Sequence, residues 1–172
     1  MTATIECRSG VSRHNLVGAA CLLLIRDDKI LMLRRANTGY ADGSWAPPNG
    51  HLEFNESVKD AMIREAREEV GIEIRHEDLD VVHVMSRRSF WDNCDNSERV
   101  DFFLTASHYQ GEPTNVESHK HDKLAWLKVN DLPSSTVPYI CQAIRYVQLG
   151  QTYSEVGWDD VCPACGQDRY RS

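Results

Sequence analysis

The sequence predicts an α+β fold, and three observations carry that expectation. Apolar runs of strand length recur along the chain, separated by turn residues. Two longer segments place apolar residues at helical spacing. Strands and helices are mixed along the chain rather than alternating regularly, so sheet and helices should form layers around one core. At 172 residues, one domain is the expectation.

The elements follow in order. Residues 1–13 are polar and read as a lead-in. "NLVGAACLLLIRDDKILMLRR" reads as a hairpin, with a turn at Asp27-Asp28 and a second strand through Arg35. "ANTGYADGSWAPPNG" is rich in Gly, Pro and Asn and reads as a loop, with Trp45 packed inside or beside it. A helix is expected from Ser57 to Val70, with Asn55 or Ser57 near its N-cap and Gly71 at its stop. "VVHVMSRRSF" and "RVDFFLTASHY" read as two strands, and "LAWLKV" as a short strand before a turn at Leu132-Pro133. "VPYICQAIRYVQLG" reads as a second helix ending at Gly150. The main domain is thus expected over 14–150, with 151–172 a tail of different character that carries "CPACGQ".

Composition narrows the function. The net charge is −7, from 19 basic and 26 acidic residues. That argues against a basic surface for polymeric nucleic acid. Small phosphorylated ligands remain compatible, because a bound divalent cation reverses the local field. No apolar run has the length of a membrane span, and the N-terminus lacks a signal pattern. A cytoplasmic protein with reduced thiols is expected, since six cysteines come without a secretion signal. Cys21 and Cys141 read as core residues.

The informative stretch is "GHLEFNESVKDAMIREAREEVGI", residues 50–72. On a helical wheel, Val58, Met62, Ile63, Ala66 and Val70 share the apolar arc. Glu65, Glu68 and Glu69 fall beside it. Glu65 and Glu69 form a like-charge i,i+4 pair, placed near the end of the helix that disfavours negative charge. Arg64 and Arg67 offset part of the repulsion. A solvated acidic face is the bland reading. Three carboxylates next to a Gly-rich loop also make a hard-oxygen site suited to Mg²⁺ or Mn²⁺, and a cation removes the repulsion.

These residues resemble the Nudix box, G-x5-E-x7-R-E-U-x-E-E-x-G-U with U a bulky aliphatic residue. Gly50, Glu56, Arg64, Glu65, Glu68, Glu69, Gly71 and Ile72 match, whereas Ala66 is smaller than usual. The resemblance covers about residues 15–150. "WAPPNGHLE" resembles the family's W-x-x-P-G-G-x-x-E approach, with Asn49 in place of a glycine. "LRRANTGYADG" and "VPYICQAIRY" are similar to a bacterial, MutT-type branch of Nudix hydrolases.

The resemblance implies an α/β/α sandwich with a mixed sheet between helices, the box forming a loop–helix–loop. It implies Mg²⁺- or Mn²⁺-dependent hydrolysis of a nucleoside or deoxynucleoside triphosphate to the monophosphate and pyrophosphate. A nucleoside diphosphate-linked or non-nucleotide diphosphate is the alternative substrate; a non-catalytic nucleotide-sensing domain is a further reading. The implied metal ligands are Glu65, Glu68, Glu69, the Asn49 carbonyl and Glu117, which ends a G-E-P-x-x-x-E segment in "GEPTNVES". Asn49 would strain the loop if that position required positive φ. Arg64 would orient the glutamates, and either Glu65 or Glu117 would be the general base. Glu56 and Glu53 are weaker metal candidates.

Substrate-binding candidates are Arg35 for phosphate, Tyr40 for stacking on a base (with Phe90 and Trp91 beside it in this role), Glu53 and Thr136. Thr136 stands where MutT carries an asparagine that helps read an oxidised guanine, which argues against that specificity. His51 is expected to be structural. His76, His108, His119 and His121 form no convincing ligand spacing, although "HKH" at 119–121 lies near Glu117. Cys162 and Cys165 resemble one knuckle of a zinc ribbon and are candidate Zn²⁺ ligands, but no second C-x-x-C completes the set. A homodimer is compatible with the family.

Overall fold

The computed structural model describes residues 15–88 and 98–158. Among the described residues, nine strands and two α-helices follow one another as β1 (Val17–Leu22), β2 (Ile25–Arg26), β3 (Lys29–Arg35), β4 (Trp45–Ala46), β5 (Asn49–His51), α1 (Val58–Val70), β6 (Leu79–Arg88), β7 (Glu98–Ala106), β8 (His121–Lys128), α2 (Pro138–Gln148) and β9 (Tyr153–Val156). A mixed five-stranded sheet has the order β5-β1-β7-β6-β9, with β1–β7 and β6–β9 parallel. A second, antiparallel sheet places β3 between β8 and the short β2 and β4.

β1 and β3 bury residues on both faces, which is why they read as near-continuous apolar runs. Ala20, Leu22, Leu31, Leu33 and Leu104 point into one core, with Met62, Ala66 and Val70 of α1. Their neighbours Cys21, Ile30, Met32 and Phe103 point into the other, with Ile140, Ala143 and Ile144 of α2. Helices on both sides of the strands give the α+β sandwich that the sequence predicts. Among the described residues, no helix is long and apolar enough to cross a membrane.

The structure departs from the expected elements in four places. The first hairpin is split between two sheets. Leu23 N bonds Leu104 O at 2.7 Å in the first sheet, whereas Leu24 O accepts from Leu31 N at 3.0 Å in the second. The 36–50 "loop" contains two strands. β4 pairs with β3 and β5 with β1, and Pro47-Pro48 carries the chain between the sheets. The tail boundary at 150 falls too early, because β9 adds to the sheet edge beside β6. Buried His83 on β6 ties it there, its ring nitrogens 2.8 Å from Gln151 O and Ser154 Oγ. Cys141, expected in the core, is exposed, since α2 turns Ile140, Ala143 and Ile144 inward instead.

Candidate active site

Helix α1 is delimited as its sequence requires. Ser57 Oγ accepts from Asp60 N at 3.2 Å, and Gly71 closes the helix in the left-handed conformation at φ 69°. About two turns from either cap, Arg64 organises the acids. Its Nε and Nη2 form a fork on Glu56 at 2.9 and 3.0 Å. Nη1 reaches Glu65 Oε1 at 2.6 Å and Glu68 Oε2 at 3.3 Å, and Nη2 also donates to His51 O at 3.0 Å. These bonds hold the Glu56 carboxyl below its ordinary range and raise the Arg64 guanidinium above its own. Glu56 is therefore the anchor of Arg64, with both oxygens committed, rather than a free metal ligand. Glu53 is exposed, gives its backbone N–H to Glu56, and lies outside the cavity wall.

The remaining acids differ in depth. Glu69 is 6% exposed, and its Oε2 accepts from Asn49 N at 2.9 Å. Burial pushes its carboxyl up to about 8, and the charges of Glu65 and Glu117 add to the rise. Burial also raises Glu65, against the pull of Arg64. Gly50 makes room for that carboxylate, since a Cβ there would lie 1.8 Å from Glu65 Oε1. Asn49 lies in β5 without positive φ, so the expected strain is absent; its side chain folds back onto Pro47 O at 2.7 Å. Glu68, with its side chain 52% exposed, turns to Arg64 and away from the cavity. Glu117 sits on the loop before β8, 2.7 Å from Lys120 Nζ.

Glu69, Glu117 and His121 offer ligand atoms that all lie within 4.8 Å of one another. A buried carboxylate such as Glu69, raised by burial and by neighbouring carboxylate charge, fits a divalent cation that would replace its proton. The sequence reading placed His121 near Glu117 but gave it no firm ligand role. A signal existed in its spacing, four residues after Glu117, the separation that brings side chains together across one helical turn.

The acids open into a cavity of about 450 Å³. Arg35 lines it, held by Tyr40 O at 2.9 Å and Thr38 Oγ1 at 3.2 Å, with its guanidinium 5.2 Å from the Tyr40 ring centre. Arg34 points elsewhere, to Asp122. The wall also includes Arg87 and Asp101, a buried ion pair that the sequence reading did not single out. Arg87 lies 3.9 Å from the centre of the Tyr139 ring. Arg99 is nearby, with Nη1 2.9 Å from His51 Nε2. Thr136 is buried beside Trp45 and lies outside the wall, whereas its neighbours Val137 and Tyr139 contribute to it. Phe90, Trp91, Cys162 and Cys165 fall outside the described residues.

The family model of the NUDIX domain matches residues 14–144. The chain belongs to the Nudix family. Its relatives include the uncharacterised Nudix hydrolase YvcI of Bacillus subtilis, 37% identical over 112 residues, which are 64% of this chain and 65% of YvcI. The chain thus spans just under two thirds of that relative. The CTP pyrophosphohydrolase of Escherichia coli is 28% identical over 111 residues, 64% of this chain and 75% of that protein. The crystal structure of a MutT NUDIX hydrolase from Burkholderia pseudomallei superposes with a TM-score of 0.68 at 26% identity, covering 77% of this chain and 98% of that one. This Nudix chain thus sits in the MutT-type branch, as the box and its approach imply.

Proposed function

We propose that this Nudix domain is a divalent-cation-dependent pyrophosphohydrolase that converts a nucleoside or deoxynucleoside triphosphate to the monophosphate and pyrophosphate. One observation carries the reading: Glu65 and Glu69, with Glu117 close to Glu69, meet a cavity whose lining also includes Arg35, Arg87, Tyr40 and Tyr139. Anionic phosphates suit a cation together with the arginines, and an aromatic base suits the tyrosine rings.

Glu65, Glu69 and Glu117 would hold Mg²⁺ or Mn²⁺ with the Asn49 carbonyl, and Glu68 would complete the family's set by turning from Arg64. The cation would supply electrostatic stabilisation of the phosphate oxygens and acidify water. The protein's own groups supply the rest. Arg64 fixes Glu65 through the 2.6 Å bond to Oε1. Glu65 is our choice of general base, because burial raises its carboxyl toward working pH while Arg64 keeps it aimed. Arg35 and Lys120 line the cavity as phosphate partners. Tyr40 and Tyr139 offer ring faces, and the Arg87–Asp101 pair offers both a donor and an acceptor to a base edge. The likeness to a CTP pyrophosphohydrolase adds a pyrimidine triphosphate to the substrates worth testing.

Product analysis on nucleoside triphosphates, dinucleotides and nucleotide sugars with Mg²⁺ tests the reading, with Glu69→Gln as control. Pyrophosphate from a triphosphate, absent in the control, is the expected result. Cleavage of only diphosphate-linked compounds, without pyrophosphate, would move the substrate class to nucleoside diphosphate derivatives. Silence across the panel from folded, cation-loaded protein would overturn hydrolysis of nucleotides.

A further inference from the structure

The chemistry above leaves one buried group unused. His121 is 3% exposed, and its Nδ1 has no hydrogen-bond partner. Buried ring nitrogens are ordinarily satisfied, so an orphan needs a physical reason. The Nε2 atom lies 3.8 Å from Glu69 Oε1, beyond hydrogen-bond range. Three donors within 4.8 Å of one another stand close to the span that one shared ion imposes on its ligands.

The backbone explains how the imidazole arrives there. β3 and β8 run in register to Arg34 and Lys123, after which Arg35 pairs with His121 and Asp122 is the extra residue of a bulge. Asp122 turns to Arg34, with Nε to Oδ1 at 2.7 Å. His121 thereby joins Arg35 on the cavity wall. The preceding turn is closed by His121 N and Lys120 N, which donate to Glu117 O at 3.0 and 2.8 Å. Asn115 Nδ2 donates to His121 O at 2.7 Å. One loop thus delivers a carboxylate and an imidazole together, opposite the buried carboxylate of α1.

We propose that Glu69, Glu117 and His121 form a mixed oxygen–nitrogen cation site that shares Glu69 with the oxygen ligands of the box and favours Mn²⁺, Co²⁺ or Zn²⁺ over Mg²⁺. The inference rests on the cation-dependent reading above. An imidazole ligand adds affinity for transition ions, whereas Mg²⁺ prefers oxygen.

Pulsed electron paramagnetic resonance of the full chain loaded with Mn²⁺, without substrate, is the test. A directly bound nitrogen modulates the Mn²⁺ echo. The expected result is ¹⁴N modulation in the wild type that changes to the ¹⁵N pattern when histidine is ¹⁵N-labelled. It persists in His51→Gln and His119→Gln and vanishes in His121→Gln. The two control variants exclude the other histidines nearest the cavity even if His121→Gln fails to fold. Where it folds, Mn²⁺ affinity falls on the order of tenfold and Mg²⁺ affinity much less. Bound Mn²⁺ with oxygen ligands alone, or modulation lost in either control, overturns this site and leaves the hydrolase reading intact. No Mn²⁺ binding at all overturns both.

Discussion

Helices α1 and α2 cover opposite faces of the same strands but bury different chemistry. α2 buries Ile140, Ala143 and Ile144, with Tyr139, Tyr146 and Val147 packed beside them. It begins at Pro138 with no side-chain cap, so packing alone holds it. α1 has a side-chain N-cap and a left-handed glycine stop, and among its buried residues is the carboxylate of Glu69. Burying a carboxylate costs folding free energy unless something compensates. The well-made ends of α1 therefore support a helix whose inward face is compromised for function, whereas α2 needs less from its ends because its inward face buries no carboxylate. Local rules are broken where the chemistry lies.

Four experiments sharpen or break this contrast. The largest effect is expected from the paired variants Glu69→Gln and Ile140→Ala. Glu69→Gln should lower kcat by roughly a hundredfold or more while leaving the fold intact. Ile140→Ala should cost about 2–5 kcal/mol of stability with kcat of the folded fraction unchanged. Denaturant titration and steady-state rates on both separate the two roles; near-normal turnover of Glu69→Gln would end the assignment.

Next is Gly50→Ala. The new Cβ would displace Glu65 Oε1, so kcat should drop on the order of tenfold with a much smaller change in Tm. An unaltered rate would show that Glu65 can work from another position.

A third, smaller effect concerns the cation-free protein. In the folded state Glu69 holds its proton up to about 8, whereas an unfolded glutamate releases it near pH ~4.3. The folded state binds the extra proton between those values, so this contribution is fully present below that window and is lost as pH rises through it. The Tm of chelator-treated protein should fall across the window. Glu69→Gln should flatten the decline, and Mg²⁺ should restore Tm at the alkaline end. Scanning calorimetry against pH checks all three, and a flat wild-type profile would contradict the buried-carboxylate account.

The smallest effect is expected from Cys141→Ser, which should change neither Tm nor rate, because Cys141 lies on the outer side of α2. A measurable loss would mean that this side of α2 is packed in solution.

Much of the candidate site was legible because its determinants are local. The helix ends, the Arg64 acid cluster and the glycine at position 50 all lie within residues 50–72, where spacing alone brings side chains together. The apolar runs determined the layered fold, since strands buried on both faces carry that burial in their composition. Short strands were invisible. β4 and β5 are two and three residues long, flank two prolines and gain their meaning only from partners more than ten residues away. β9 looked like tail because its stability comes from His83, some seventy residues earlier.

By itself, then, the sequence determined the family, the layered architecture and the acids that can meet a cation, because each is encoded in composition or helical spacing. Only the tertiary structure decided which of those acids is buried, that Glu56 serves Arg64, that Thr136 lies off the wall, and that Arg87, Asp101 and Tyr139 line it. The same holds for His121. Its place beside Glu69 depends on a bulge in β8 and on a helix fifty residues earlier, and no local period in a sequence records a contact between such distant elements.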